Sequence, residues 1–514
     1  MNVLFLNLPD PQGMYVNRDY CGGFGSAFPK RRGKGHDVFP PIFDAYAAAI
    51  LEKEGYKVSI IDAQATGLSG AKLLEMVEES NPGVIVSRIS LPSFGSDLKT
   101  CDTVKTRFSN AFCVGWGSIC KVEPEAVLSK SRLDAVISDE LEFAILDLVN
   151  ALRSKVELRE VGGISFKANG NVVRNPSVSG EKSLDALPLP AYHLLDLKSY
   201  KASESYFFPE GSRRRFVNFF TLLSSRGCDF NCFYCPYPTS FGAWRAMTPK
   251  KVVDEIEFLV KNYGIKVFWF HDQVFTMIPE RVEEICSEII NRGLHVTWAC
   301  ETHLRKLPTS LMVNMKEAGC SRIQIGIETG DPKLLAKAGK LGCTADEVEE
   351  TMRQLHELGI LVEANFIVGL PGENWSTVRN TANMIRKTRP DDVAISMITP
   401  YPGTPLFALA KKRNWIVTED WNRYSTSQPV MASPDFSVEE MKEAHQYLYG
   451  TFLYGRRLGE LSRTLRKRAF RRFFEELSAG LPEVGFGAYV IARFALKSRL
   501  RLLGVLGIRR LCYA

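Results

Sequence analysis

Two long runs in which strand-like and helix-like segments alternate restrict the fold of this chain more than any other feature. In the first run, short apolar stretches at residues 3–8, 57–62, 83–88, 112–116 and 135–138 alternate with amphipathic stretches at 42–54, 71–79, 98–107, 123–129 and 141–152. Such alternation means parallel strands joined by crossover helices. Five units predict a doubly wound, Rossmann-like domain over residues 1–155, with its ligand edge at the carboxyl ends of the strands. The stretch from Pro9 to Pro40 follows the first strand at that edge. Loops of this length in compact domains are functional or disordered. A hairpin pattern with Asn169-Gly170 at its turn and the Pro-rich Leu184-Asp-Ala-Leu-Pro-Leu-Pro-Ala-Tyr192 make a connector over 156–214.

The second run places strands at 218–223, 266–270, 295–299, 322–327, 361–368 and 393–397, with helices between them. Thr248-Pro249 reads as the N-cap and first residue of one helix, and Thr344-Ala-Asp-Glu347 as a capping box. Six β/α units are too few for an eight-stranded barrel. The expectation is a partial (β/α)6, TIM-like barrel over 215–430, followed by a helical basic segment over 431–514.

A chain of 514 residues exceeds one ordinary core, and 45% hydrophobic with 24% charged residues is a globular composition. The first residues lack a basic n-region and a cleavage site, and no stretch has the ~18 uncharged apolar residues of a membrane span. The expected location is cytoplasmic. Twelve cysteines in such a chain argue against a disulfide framework. Nine of them read as small buried hydrophobes. The net charge of +7 is uneven: residues 456–510 hold 14 Lys+Arg against 4 Asp+Glu.

The other three cysteines are clustered in Ser225-Arg-Gly-Cys-Asp-Phe-Asn-Cys-Phe-Tyr-Cys-Pro236, directly after a predicted strand. Sulfur ligands at Cys228, Cys232 and Cys235 favour an iron–sulfur cluster or zinc. A structural zinc site wants a fourth Cys or His at short spacing, and none is near. Three thiolates can instead hold three irons of a cubane and leave the fourth without a protein ligand.

This loop resembles the signature of the radical S-adenosylmethionine superfamily, C-x-x-x-C-x-aromatic-C, with Tyr234 at the aromatic position. The resemblance implies a 4Fe–4S cluster whose open iron binds S-adenosylmethionine, and reductive cleavage to a 5′-deoxyadenosyl radical. Three further segments match in order. Phe270-His-Asp-Gln-Val-Phe-Thr276 is similar to the motif that meets the methionine amine, which implicates Asp272; an ordinary cap or surface acid is the alternative there. Ile325-Gly-Ile-Glu-Thr-Gly330 resembles the segment that meets the ribose, through Glu328. Asn365-Phe-Ile-Val-Gly-Leu-Pro-Gly372 resembles the segment against adenine, with Ile367 and Gly369. Tyr401-Pro-Gly-Thr-Pro-Leu406 is similar to the turn after the sixth strand.

The five-unit domain resembles the cobalamin-binding domain of one branch of that family. The resemblance implies corrinoid contacts at Asn7, Leu8, Ser90, Gly117 and Glu140. No D-x-H-x-x-G motif is present, and Asp139-Glu-Leu-Glu142 replaces the usual Gly-Glu-Gly-Glu. A scaffold that helps bind substrate is the alternative reading of this domain.

The tail interleaves cations with Leu and Phe over 456–474 and 493–503, which suits the surface of an anionic membrane. A solvated helical face and nucleic acid are the competing readings; no nucleic-acid module accompanies it, and none is expected as partner. The implied enzyme functionalises an unactivated carbon by cobalamin-dependent methylation of a lipid or secondary metabolite. The alternative is rearrangement, cyclisation or C–C/C–O bond formation on a membrane-borne, hopanoid-type lipid. An electron donor such as flavodoxin or ferredoxin is implied as partner. A methylthiolating enzyme acting on RNA would need a second cysteine set, which Cys21, Cys101, Cys113 and Cys120 do not form.

Overall fold

The computed structural model describes residues 1–30, 37–178, 182–211, 215–340 and 344–466. The basic tail beyond Arg466 lies outside the described residues, and with it most of the segments assigned to a membrane surface. The long helix Val438–Arg466 lies within the segment 431–514 expected to be helical and runs into the stretch 456–474. Among the described residues no helix is long and apolar enough to cross a membrane.

The chain divides into two compact units. One comprises Met1–Gln324, Leu358–Ile360 and Thr399–Met431; the other comprises Ile325–Glu357, Leu361–Ile398 and the residues from Ala432 onward.

In the first unit, parallel strands Asn2–Asn7, Lys57–Asp62, Val84–Arg88, Phe112–Trp116 and Ala135–Ile137 form a sheet in which the first strand lies between the second and the third. The hairpin Ile164–Ala168 and Asn171–Arg174 extends it antiparallel. Both faces are covered by helices, so the strands read as apolar runs: Leu4, Leu6, Ile85, Cys113 and Val136 share one buried cluster. The order 2-1-3-4-5 puts a topological switch between the first and third strands, where ligands of such sheets bind.

The Pro-rich connector is buried rather than loose. The Ala191 amide donates to the Ala45 carbonyl at 2.9 Å. Tyr192 and Tyr46 both donate their hydroxyls to Glu255, on helix Pro249–Tyr263. Burial pushes the Glu255 carboxyl upward, and the two tyrosines oppose that shift.

Six further strands follow in chain order: Phe220–Leu222, Val267–Phe270, Thr297–Thr302, Cys320–Glu328, Leu361–Val368 and Asp392–Met397. Phe220–Leu222, Val267–Phe270 and Thr297–Thr302 pair in parallel within the first unit. Strand Cys320–Glu328 passes from the first unit into the second. There Leu361–Val368 and Asp392–Met397 pair in parallel over six residue pairs. The capping box at Thr344 forms: its amide donates to Glu347 Oε2 at 2.7 Å, and the Glu347 amide donates back to Thr344 Oγ1 at 3.2 Å.

Candidate active site

The cysteine loop is closed at its base. Ser225–Arg226 pairs antiparallel with Arg245–Ala246, so residues 227 to 244 project from a two-residue ribbon. Gly227 has φ +79, and a Cβ there would lie 2.0 Å from the Ala243 carbonyl oxygen, so only glycine permits this closure. Within the loop the Cys228 amide donates to the Gly242 carbonyl at 3.1 Å, and the Cys235 amide to the Cys232 carbonyl at 3.0 Å. The Leu406 amide, in the turn after the sixth strand, donates to the Phe233 carbonyl at 3.0 Å. Cys228 is buried, while Cys232 and Cys235 are half-buried. Among the described residues no three His, Cys, Asp or Glu side chains converge on one ion. A cubane does not need such convergence, because each thiolate takes a different iron. The donor set, three soft thiolates on one fixed loop, therefore fits a 4Fe–4S cluster.

Arg226 anchors this base to the N-terminal sheet. It is 1% exposed, and its guanidinium donates to Glu140 at 2.9 Å and to Glu142 at 2.5 Å. Arg245 also pairs with Glu140. Burial works against the charge on Arg226, but Glu142 and Glu140 more than offset it and raise its pKa. Glu140, expected as a corrinoid contact, is thus engaged by two arginines. Glu142 and Arg226 were not singled out from sequence. The available signal was a lone Arg before Gly227-Cys228 and two carboxylates at the end of a distant strand.

Asp272 is fully buried at the end of strand Val267–Phe270. It accepts from the Ser224 amide at 3.2 Å, the Ser224 hydroxyl at 3.0 Å and the Ser225 hydroxyl. Burial raises its pKa, against those hydrogen bonds and nearby Arg281. As folded, this carboxylate holds the residues that open the cysteine loop. The neighbouring Gln273 donates instead to Glu301 at 3.0 Å, and His271 bonds the Asp19 carbonyl at 3.2 Å.

In the second unit, Glu328 ends its strand with φ +66, a rare conformation for a non-glycine residue. Its carboxylate pairs with Lys340, which also donates to the Gly326 carbonyl at 2.7 Å. A Cβ at Gly326 would meet a Glu328 carboxylate oxygen at 2.4 Å, so that glycine lets the side chain fold back. Ile367 is half-buried on the same strand face as Glu363 and Asn365. Gly369, with φ +98, donates its amide to Glu373, which sequence reasoning missed within Gly-Leu-Pro-Gly-Glu. Burial pushes the Glu373 carboxyl up to about 8.

The other four residues expected at a corrinoid all have protein partners or neighbours. Asn7 donates to Asp62 at 2.8 Å. Arg18 donates to the Leu8 carbonyl at 3.1 Å and to the Ser90 hydroxyl at 3.0 Å, and grips Asp97 with two bonds of 2.7 and 3.0 Å. A Cβ at Gly117 would lie 2.4 Å from the Ile89 carbonyl oxygen. The Ser118 hydroxyl donates to the Gly22 carbonyl at 2.6 Å, and the Leu91 amide to the Phe24 carbonyl at 2.8 Å. Residues 17–25 therefore cover the switch point themselves. The space left at that edge, between Gly23, Arg88, Gly117 and Glu140, is ≈ 30 Å³, room for about one water. A groove of ≈ 1050 Å³ lies elsewhere, between Phe94, Leu98, Lys130 and Trp421, and holds none of the expected site residues.

The description of one protein family, the radical SAM superfamily, matches residues 222–385, the span that begins just before the cysteine loop. The chain is a radical S-adenosylmethionine enzyme. That family's cofactors are a 4Fe–4S cluster, which the donor set fits, and S-adenosylmethionine. Among curated relatives, the uncharacterized methyltransferase PH0819 of Pyrococcus horikoshii is 29% identical over 415 residues, covering 80% of this chain and 87% of the relative. The anaerobic magnesium-protoporphyrin IX monomethyl ester cyclase of Cereibacter sphaeroides is 29% identical over 423 residues, covering 80% and 67%. Among solved structures, the cobalamin-dependent S-adenosylmethionine radical enzyme OxsB with aqua-cobalamin bound superposes with a TM-score of 0.70 at 17% identity, covering 98% of this chain and 75% of that one. This radical SAM enzyme thus shares its mixed α/β fold with OxsB.

Proposed function

We propose that this enzyme splits S-adenosylmethionine and uses the 5′-deoxyadenosyl radical to functionalise an unactivated carbon of a lipid or secondary metabolite. The observation that carries the reading is the ribbon-closed loop that carries Cys228, Cys232 and Cys235 within eight residues of one another. When bound there, a 4Fe–4S cluster supplies the electron that breaks the sulfonium. The chain's own residues position and shield. Asp272 fixes the entry to the loop and is the proposed contact to the methionine amine; Glu328 is the proposed contact to the ribose, Ile367 and Gly369 to the adenine, and Tyr234 a further contact to S-adenosylmethionine. Arg226, held by Glu140 and Glu142, keeps the loop base rigid, so the reactive carbon forms at one place and away from water.

Two fates of the substrate radical have support. The methyltransferase relative and the cobalamin-bound OxsB support methyl transfer from a corrinoid on residues 1–155. As folded, residues 17–25 occupy that edge, so a corrinoid there requires them to move aside. This packing, together with the cyclase relative, supports the second fate, closure of the radical without methyl transfer, with the N-terminal domain as scaffold. Anaerobic purification followed by cobalt and nucleoside analysis decides between them. Methyl transfer yields cobalt, 5′-deoxyadenosine and S-adenosylhomocysteine together; closure yields 5′-deoxyadenosine alone. A low-potential donor of the flavodoxin or ferredoxin class is the proposed electron source.

A further inference from the structure

Strand Cys320–Glu328 ends in backbone that side-chain-bearing residues avoid, since Glu328 sits at φ +66. Such strain persists only where the surroundings impose it. The residues that follow turn tightly. The Thr329 hydroxyl lies 3.2 Å from that of Thr381, on helix Trp375–Thr388, and the Gly330 amide donates to Thr381 Oγ1 at 3.0 Å. Asp331 then caps a six-residue helix, Pro332–Lys337, by accepting from the Lys333 and Leu334 amides at 3.0 Å each. Beyond it Gly339, with φ +69, turns the chain back, and the Lys340 amide donates to the Leu335 carbonyl at 3.3 Å. This turn, helix and turn return a cation to the carboxylate that ended the strand 12 residues earlier.

The Lys340 ammonium donates to Glu328 Oε1 and, at 2.7 Å, to the Gly326 carbonyl. The two side chains are nearly buried, 10% and 11% exposed. Gly326 and Glu328 share one face of the strand, and a Cβ at Gly326 would lie 2.6 Å from Lys340 Nζ. Glycine at that position is what lets ammonium and carboxylate meet there. An ion pair taken out of water adds little net stability, because desolvation offsets the attraction. A strained backbone and a desolvated ion pair at one residue therefore point to function. Glu328 Oε2 has no donor among the described residues, so half of the carboxylate is left to accept from a ligand hydroxyl.

We propose that Lys340 is the positioning residue of the ribose-binding carboxylate: it pins Glu328 Oε1, so that Oε2 accepts from a ribose hydroxyl of S-adenosylmethionine. The inference rests on the reading of Glu328 as the ribose contact and names the residue that sets its geometry. The effect of Lys340 on the cofactor passes through Glu328. Without the cation the carboxylate loses its fixed orientation, and with it much of a charge-assisted hydrogen bond.

Equilibrium dialysis of the full-length, anaerobically reconstituted enzyme tests this. No reductant is present, so S-adenosylmethionine binds without being split, and the readout is its dissociation constant. Lys340→Met, which keeps the stem and removes the charge, should weaken binding about tenfold. Glu328→Gln should weaken it too, and the double variant should lose no more than Glu328→Gln alone. An S-adenosylmethionine analogue without the two ribose hydroxyls should bind wild type and Lys340→Met equally, which also shows that the variant is folded. A Lys340→Met affinity within about twofold of wild type overturns the proposal, as do a loss that persists with the analogue and a double variant whose losses add. If Glu328→Gln binds like wild type, the ribose assignment falls and the proposal with it. If wild type binds no S-adenosylmethionine, the radical reading beneath both is overturned.

Discussion

Arg226 shows how a residue outside the motif decides whether the motif works. Its charge is buried and compensated by Glu140 and Glu142. Removing one partner of such a group leaves an unpaired charge in low dielectric. Arg226→Ala should therefore cost about 3–5 kcal/mol, read by denaturant unfolding, and lower the iron content on reconstitution. A change within ~0.5 kcal/mol would show that water reaches the pair. Cys228→Ala, Cys232→Ala and Cys235→Ala should each abolish the cluster's visible absorption and the cleavage of S-adenosylmethionine, while a cysteine in the sheet core, Cys113, should not matter for either. The thiol triad was legible because three soft ligands at fixed spacing have few other uses. The role of Asp139-Glu-Leu-Glu142 was not: spacing along one strand end says nothing about an arginine 84 residues away. The same holds for Arg18, whose partner Asp97 lies across the switch point.

Among elements, strands were read closely because apolar runs covered on both faces are conspicuous; the third strand of the second run falls at Thr297–Thr302, later than the 295–299 expected, because its polar end looked like a loop. The stretch after the first strand was recognised as too long to be idle, but not that it returns as a ribbon, Met14–Asn17 with Ser26–Pro29, onto the sheet edge. At that edge the segment after strand Phe112–Trp116 approaches the Ile89 carbonyl closely, which depends on Gly117, at φ +124. Gly117→Ala should cost roughly 1–3 kcal/mol from backbone strain alone, and more from the contact with Ile89, measurable by thermal unfolding. The turn after strand Leu361–Val368 carries a pH dependence. Glu373 has a folded pKa raised to about 8, so the folded state binds its proton more tightly than the unfolded chain does. Its contribution is complete below the ordinary carboxylate pKa and is lost as pH rises through about 8. Wild-type stability should fall across that window, and Glu373→Gln should flatten the slope; parallel slopes would place the carboxyl in water.

For the whole molecule, two alternating runs pointed to a doubly wound sheet and to a second set of parallel pairings, because crossover connections leave few other topologies. How residues 17–25 fold back over the first sheet's switch point was not legible, because no periodicity marks a loop that returns onto a sheet edge. The central claim is that three cysteines leave one iron for the sulfonium cofactor. Electron paramagnetic resonance of the reduced, reconstituted enzyme tests it directly. The account predicts a 4Fe–4S signal that changes on adding S-adenosylmethionine, followed by 5′-deoxyadenosine. Bound zinc, or an iron signal indifferent to that addition, would contradict it.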